Sequence, residues 1–283
     1  MGMWVRYSGF NQTLFELITI GYEILDGRIL NTNSKWLAEK ITSMGGRVVR
    51  MVTIGDSIKD ISSSIREAVK RNVDWIITSG GLGPTYDDVT LEGVAKALNR
   101  KLVLNKKAYE MLKERYKMLA EQGVVESSEL TPSRLKMAML PKGARPLRNR
   151  VGSAPGVLLK QGRTWIACLP GVPAELYSIF EEELQPLILK TIKKVYKADI
   201  TLHVRRIAES SIAPRIVQIV KRFDGVYIKT HPKTIEDGIS KIEIQISAMA
   251  NREDVVKKKA GEIEKIIKEI VIEMGGEIYT VES

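Results

Sequence analysis

Cysteine is nearly absent from this chain: Cys168 is the only one in 283 residues. That excludes an intramolecular disulfide and any site built from several thiolates. Cys168 sits in Trp165-Ile166-Ala167-Cys168-Leu169 and reads as a small buried residue. Histidine is almost as scarce, with His203 and His231 both late in the chain, so a Ser-His-Asp triad and a histidine-rich metal site have no support. No apolar run approaches the roughly 18 residues a membrane helix needs, and no signal-peptide pattern is seen. A cytoplasmic protein with no membrane partner is expected. Neither the Gly-x-x-x-x-Gly-Lys-Ser/Thr phosphate loop nor the dinucleotide-binding glycine fingerprint occurs, and no internal repeat is visible.

What is present is an ordinary globular composition, 44% hydrophobic and 28% charged, in a length that suits about two domains of roughly 100–200 residues. The net charge of +10 is spread along the chain and lies mostly in its first 190 residues. It favours acidic ligands in general without drawing a nucleic-acid-binding stripe.

Through residue 190 strands and helices alternate. Apolar runs predict strands over 15–20, 47–54 and 74–78. Spacing of three and four predicts helices over 33–44, with Thr32 or Asn33 as cap, over 57–71, and over 89–98. Residues 105–123 read as a polar helical excursion, 136–169 as shorter strands, and 172–189 as one helix opened by Pro173. Alternation of this kind implies α/β architecture with parallel strands, whose ligands bind beyond the strands' carboxyl ends. After a junction at 190–197 the pattern becomes strand 199–206, helix 210–223, strands 226–230 and 241–248, helix 253–274 and strand 277–281. This is a small α+β unit. The chain is thus divided into domains 1–190 and 191–283.

The loops at the carboxyl ends hold the chemistry. Gly80-Gly81-Leu82-Gly83-Pro84-Thr85-Tyr86-Asp87-Asp88 follows the third strand and precedes a helix. Glycines let backbone amides approach a phosphate, a helix N-terminus adds positive potential, and Asp87 and Asp88 can hold a divalent cation. The competing reading is a glycine turn before an acidic first helical turn. Gly55-Asp56-Ser57 ends the second strand, so Asp56 can share a cation and an attacking water with Asp88, or serve with Ser57 at a helix cap. Glu23, Asn31 and Asn33 follow the first strand and suit a metal, a ribose or a base, or else a turn and an N-cap. Gly152-Ser153-Ala154-Pro155-Gly156 and Pro170-Gly171 are small, rigid loops that either approach a ligand or merely turn the chain.

Taken together these segments resemble a known family. Thr19-Ile20-Gly21-x-Glu23-Ile24-Leu25-x-Gly27, Asn31-Thr32-Asn33, Gly55-Asp56, Gly80-Gly81-Leu82-Gly83-Pro84-Thr85-x-Asp87-Asp88-Val89-Thr90, Val151 to Gly156, and Leu169-Pro170-Gly171-x-Pro173-x-Glu175 occur in the order found in the competence/damage-inducible protein A (CinA) family. The N-terminal domain of that family is similar to the molybdopterin-binding domain of molybdenum-cofactor biosynthesis proteins. The resemblance covers about residues 15–190. It implies a three-layer α/β/α fold around a mostly parallel sheet, followed by a KH-like second domain, and a homo-oligomer. Asp56 and Asp88 match two aspartates that serve molybdopterin adenylylation or metal insertion in the cofactor-synthesis relatives. In the competence-protein branch the domain is associated with metal-dependent ADP-ribose pyrophosphatase activity, and Leu82-Gly83-Pro84-Thr85 with the Leu-Pro-Gly-x-Pro loop favours that branch.

Two departures stand out. The sequence ends at Ser283, so the deamidase domain of many bacterial members is not expected. Tyr22 stands where many members have a small or polar residue. Residues 191–283 lack a Gly-x-x-Gly clamp, so nucleic acid is not expected as a partner.

The leading expectation is a hydrolase that splits ADP-ribose into AMP and ribose 5-phosphate with Mg²⁺, Mn²⁺ or Co²⁺. Gly80, Gly81 and Gly83 would cradle the diphosphate with Thr85 beside them, and Asp56, Asp87 and Asp88 would hold the ion. The alternatives are a molybdopterin-binding or adenylylating protein using the same cleft, and a nucleotide-sensing or assembly module without catalysis.

Overall fold

Strand β1 (Leu14–Ile20) decides the architecture of the first unit, because its side chains are buried on both faces. A computed structural model of the chain describes residues 12–233 and 239–280. Residues 13–193 form one unit, and a second is built from residue 194 onward. After β1 the chain runs through α1 (Tyr22–Leu25), α2 (Thr32–Ser43), β2 (Arg47–Ile54), α3 (Ile58–Lys70), β3 (Trp75–Ser79) and α4 (Thr90–Ala97). It continues through β4 (Leu102–Leu104), α5 (Lys106–Glu121), α6 (Pro132–Lys136), β5 (Met139–Pro141), β6 (Arg145–Leu147), β7 (Gly156–Gln161) and β8 (Thr164–Leu169). Then come α7 (Pro173–Ile179) and α8 (Gln185–Leu189).

The main sheet has the order β2-β1-β3-β8-β7-β6. The first four strands are mutually parallel, and β7 and β6 run antiparallel to their neighbours. Ile18 and Ile20 of β1 pack with Ile61 and Ile65 of α3, Val94 of α4 and Leu112 of α5. Phe15 and Leu17 point the other way, against Leu37 and Ile41 of α2 and Leu176 and Phe180 near α7. Two such cores on one sheet are the three layers expected from the alternation. Ile20 lies level with Ile54, and Ser79 with Leu169, so the parallel strands end at one height and their loops meet there.

Three local readings change. The helix read as an excursion is α5, and Ala108, Leu112 and Tyr116 seat it on the core. The helix read over 172–189 is broken into α7 and α8 by a π-helical turn at Phe180–Leu184. Pro186 explains the break: it lacks the N–H that would bond four residues back. The cap of α2 is Asn31 rather than Thr32 or Asn33, its side chain accepting from Ser34 N–H at 3.1 Å. The polar position within β1, Glu16, is 1% exposed and accepts from Arg71 Nη2 at 2.7 Å and Nε at 2.9 Å.

The second unit comprises β9 (Tyr196–Arg205), α9 (Glu209–Arg222), β10 (Val226–Pro232), β11 (Lys241–Ala250), α10 (Glu253–Glu273) and β12 (Glu277–Tyr279). Its antiparallel sheet has the order β10-β11-β9-β12. Leu202, Val204, Ile242, Ile244 and Ile246 pack with Ile212 and Ile216 of α9 and Ile263 and Ile267 of α10. The expected fold class, a mainly parallel α/β sheet with a small additional α+β unit, is the one found. The last strand was read to Val281, which lies outside the described residues.

Candidate functional site

The loops after β1, β2, β3 and β8 enclose a cleft of about 580 Å³. Each loop owes its place to the level ends of the parallel strands. The glycine turn after β3 is the tightest piece. Gly80 has φ of +106°, and a side chain there would put its Cβ 2.2 Å from the carbonyl oxygen of Ile20. Only glycine lets β3 turn this close to β1. Thr90 then locks the turn to α4, with Oγ1 donating to the Gly80 carbonyl at 2.8 Å and its N–H to Gly81 O at 3.1 Å.

The cleft wall includes Glu23, Asn31, Asn33, Asp56, Gly80, Gly81, Gly83, Asp87, Asp88, Ser153, Ala154, Pro170 and Gly171. Four other residues singled out in the sequence lie outside that wall. Thr85 turns inward on its own loop, donating its N–H to Asp88 Oδ2 at 2.8 Å and placing its hydroxyl between Asp87 and Asp88. One hydroxyl proton serves only one of those carboxylates at a time. Gly152 gives its N–H to Asn149 Oδ1 at 2.8 Å, and Pro155 and Gly156 are buried where β7 begins. The three glycine amides also divide. Gly80 N–H is taken by Leu169 O at 3.0 Å, whereas those of Gly81 and Gly83 have no acceptor among the described residues.

Asn31 is a structural knot as well as a wall residue. Besides capping α2, its Nδ2 donates to Thr19 Oγ1 at 3.0 Å and Thr53 Oγ1 at 3.2 Å. Asn33 reaches across the cleft mouth, its Nδ2 donating to Gly171 O at 2.7 Å, and its buried Oδ1 has no partner. An unpaired buried acceptor of this kind costs stability until something donates to it.

Electrostatics give the cleft its character. Its charged side chains are Glu23, Asp56, Asp87, Asp88 and Glu175, and no Lys, Arg or His lines it among the described residues. Asp56 accepts from Tyr22 N–H at 3.0 Å, yet its carboxyl is pushed above the usual aspartate range. Burial is the main cause, with repulsion from Glu23 and Asp87 adding to it. Asp87, fully exposed, is held below its usual range by the Thr85 hydroxyl. Among the described residues no three acidic, His or Cys side chains are placed to enclose a metal ion by themselves.

Glu175 was visible in the sequence as part of the Leu-Pro-Gly-x-Pro-x-Glu segment but carried no role. In the structure it is a half-buried wall residue whose Oε2 accepts from Asn149 Nδ2 at 2.6 Å. Burial pushes its carboxyl up, offset in part by Asn149 and Arg115. Asn149 also donates to Ala154 O at 2.8 Å, so the pair fixes the loop that carries Ser153 and Ala154. A Cβ at Gly152 would fall 2.0 Å from Glu175 Oε2, so a side chain there would push the Glu175 carboxylate aside.

Comparison with known proteins places this geometry. The family model described as "Probable molybdopterin binding domain" matches residues 16–190. A protein from Metallosphaera sedula is 42% identical over 268 residues, covering 95% of this chain and 98% of its own length. Another from Pyrococcus furiosus is 44% identical, covering 86% of this chain and 92% of its own. The crystal structure of the protein CinA, of unknown function, from Thermoplasma acidophilum aligns with a TM-score of 0.56 and 36% identity, covering 62% of this chain and 98% of that one. No helix among the described residues is long and apolar enough to cross a membrane.

Proposed function

The chain belongs to the molybdopterin-binding domain family, and from that premise we propose that its cleft binds a phosphorylated pterin or nucleotide ligand together with a divalent cation. One observation carries this reading. A protein of net charge +10 lines its main interdigitated loop cleft with five carboxylates and no basic side chain among the described residues. A phosphate enters such a place only if a cation comes with it. Asp56 and Asp88 would supply carboxylate ligands, with Glu23 and Asp87 adding negative potential, and phosphate oxygens and water would complete the shell. The free amides of Gly81 and Gly83 would donate to the phosphates. When bound, the ion neutralises phosphate charge and lowers the pKa of a coordinated water.

A second, finer reading is hydrolysis of ADP-ribose, for which Asp56 and Asp88 on one cleft wall would hold the cation. In that reaction a water oxygen bonds to one phosphorus, the bridging P–O bond breaks, and AMP and ribose 5-phosphate leave. The water's second proton passes to solvent. The residues of the cleft would work by positioning and by preorganised charge.

Calorimetric titration with ADP-ribose and with molybdopterin, in EDTA and in Mg²⁺, Mn²⁺ or Co²⁺, tests both readings. Binding that needs the cation is the expected result, and AMP release from ADP-ribose selects the hydrolytic form. Equally tight binding in EDTA would refute the cation-bridged cleft.

A further inference from the structure

Another cavity, of about 460 Å³, lies at the loop that joins β6 to β7. Three segments meet there: α5, which brings Glu114 and Arg115, the loop itself, which brings Arg148 and Arg150, and the π-helical turn, which brings Glu183. Three guanidinium groups thus face two carboxylates. The acidic cleft has the opposite balance, with no basic side chain on its wall among the described residues. The two spaces share a partition. Asn149 stands on the wall of this cavity, while Ser153, Ala154 and Glu175 stand on that of the cleft. Asn149 Nδ2 donates to both Glu175 Oε2 and Ala154 O, and Arg115 Nη2 donates to Val151 O between them.

The guanidinium groups are incompletely paired. Arg148 Nη2 lies 3.6 Å from Glu114 Oε2, near enough for an ion pair and too far for a hydrogen bond. Arg150 pairs at 2.6 Å with Glu182, which is not part of the wall. Arg115 is half-buried and has no carboxylate within ion-pair distance among the described residues. Its Nε is buried without an acceptor, a cost that a better-paired guanidinium avoids. Clustered arginines suit a phosphate, because each planar guanidinium can give two parallel N–H bonds to its oxygens. Ionised Glu114 and Glu183 can only accept, so they suit hydroxyl groups and repel phosphate. We infer that this cavity binds the phosphate monoester of a small polyol, a sugar phosphate, without a metal ion, and that the bound molecule steadies the loop shared with the acidic cleft. The phosphate lies toward the arginines and the hydroxyls toward Glu114 and Glu183. The inference stands apart from the cleft reading. A phosphate here meets cations of the chain itself, whereas one in the cleft needs an added cation.

The test is calorimetry with ribose 5-phosphate, inorganic phosphate and ribose, each in EDTA and in Mg²⁺. Ribose 5-phosphate binds equally in both, and about tenfold more tightly than inorganic phosphate, as one added hydrogen bond to a carboxylate allows. Ribose alone does not bind. Joint replacement Arg148→Ala and Arg150→Ala, at two exposed positions, weakens ribose 5-phosphate by about tenfold or more. The same variant keeps the thermal midpoint of the free protein, since exposed ion pairs contribute little to stability. In EDTA, ribose 5-phosphate slows amide exchange across residues 150–155. No binding of either phosphate in EDTA overturns the site and leaves the cleft reading standing. Binding that appears only with Mg²⁺ assigns the phosphate to the acidic cleft instead. Affinity unaltered by the double variant places the molecule elsewhere on the protein. Equal affinity for inorganic phosphate and ribose 5-phosphate overturns the polyol assignment, and unchanged exchange across 150–155 overturns the link to the cleft. Failure of Mg²⁺-dependent ADP-ribose binding bears on the cleft alone.

Discussion

Replacing Asp56 by Asn separates what the acidic cleft does for ligand from what it does for stability. Without a cation, the ionised Asp56 is disfavoured by burial and by Glu23 and Asp87. Asn keeps an acceptor for Tyr22 N–H, which lies at 3.0 Å, and drops the charge. A tenfold bias against an ionised form is worth about 1.4 kcal/mol. Asp56 is only partly buried, so solvent screening reduces this, and the variant gains less than about 1 kcal/mol at pH 7. The sign follows from linkage. The folded-state pKa lies above the unfolded one, so the protonated form's stabilisation is complete below the ordinary aspartate value and is lost as pH rises through the raised one. The advantage of Asn therefore exists at neutral pH and disappears near pH 3. With Mg²⁺ and a diphosphate ligand at about a hundred times its Kd, wild type gains about 2.7 kcal/mol, or roughly 5–10 °C in Tm. Asp56→Asn gains almost nothing. Thermal unfolding of both proteins, with and without ligand and metal, gives a crossing: the variant ahead alone, wild type ahead when loaded. Parallel shifts in the two proteins would refute the role assigned to Asp56.

Other consequences follow from single contacts. Gly80→Ala forces Cβ to 2.2 Å from Ile20 O at a φ of +106°, so urea unfolding shows a loss of about 2–4 kcal/mol together with lost ligand binding. Arg71→Met strands the buried Glu16, whose other cation, Arg50, is 3.9 Å away. A loss of about 3 kcal/mol is expected at pH 7, at the low end for broken buried pairs because Arg71 is 34% exposed, and Glu16→Leu in the same chain restores most of it. Asn149→Ala releases the loop held by Glu175 and Ala154, whose contacts are 2.6 Å and 2.8 Å. Amide hydrogen exchange across residues 150–155 quickens in that variant while β1 and β3 keep their protection. Carboxyl NMR titration places Glu175 above the usual glutamate range, as burial dictates, and Glu175→Gln flattens the fall in stability as pH rises through that value.

Most of the fold was readable because its signals are local. Alternating strands and helices fix parallel pairing, parallel pairing levels the strand ends, and loops at level ends must meet. That chain of reasoning brings Asp56, Asp88 and Gly81 to one cleft from the sequence alone. What escaped depends on pairs far apart in the chain. Nothing near Glu16 announces Arg71, 55 residues later, and nothing near Asn149 announces Glu175, 26 residues later. The Gly80 amide looks free in sequence and is spent on Leu169, because β3 keeps pairing with β8 one residue past its end. The apolar spacing around Pro186 continues the helix through 172–189 and hides the π turn.

Net charge was the least faithful guide. An excess of +10 argues for acidic ligands drawn to a basic surface. The cleft those ligands would occupy has the opposite sign, since its charged wall residues are all carboxylates among the described residues. The two facts are compatible only if attraction at long range and binding at short range are separate jobs. Surface lysines and arginines raise the encounter rate of an anion and are screened beyond about 8–10 Å at moderate salt. On the reading proposed above, a carboxylate-held cation would reverse the sign inside the cleft before a phosphate could stay. Added salt should therefore slow association while leaving the requirement for a divalent ion intact. Stopped-flow association rates that fall from 50 to 300 mM KCl, with an unchanged Mg²⁺ dependence of the dissociation rate, would bear this out. A metal requirement that vanished at high salt would sink it.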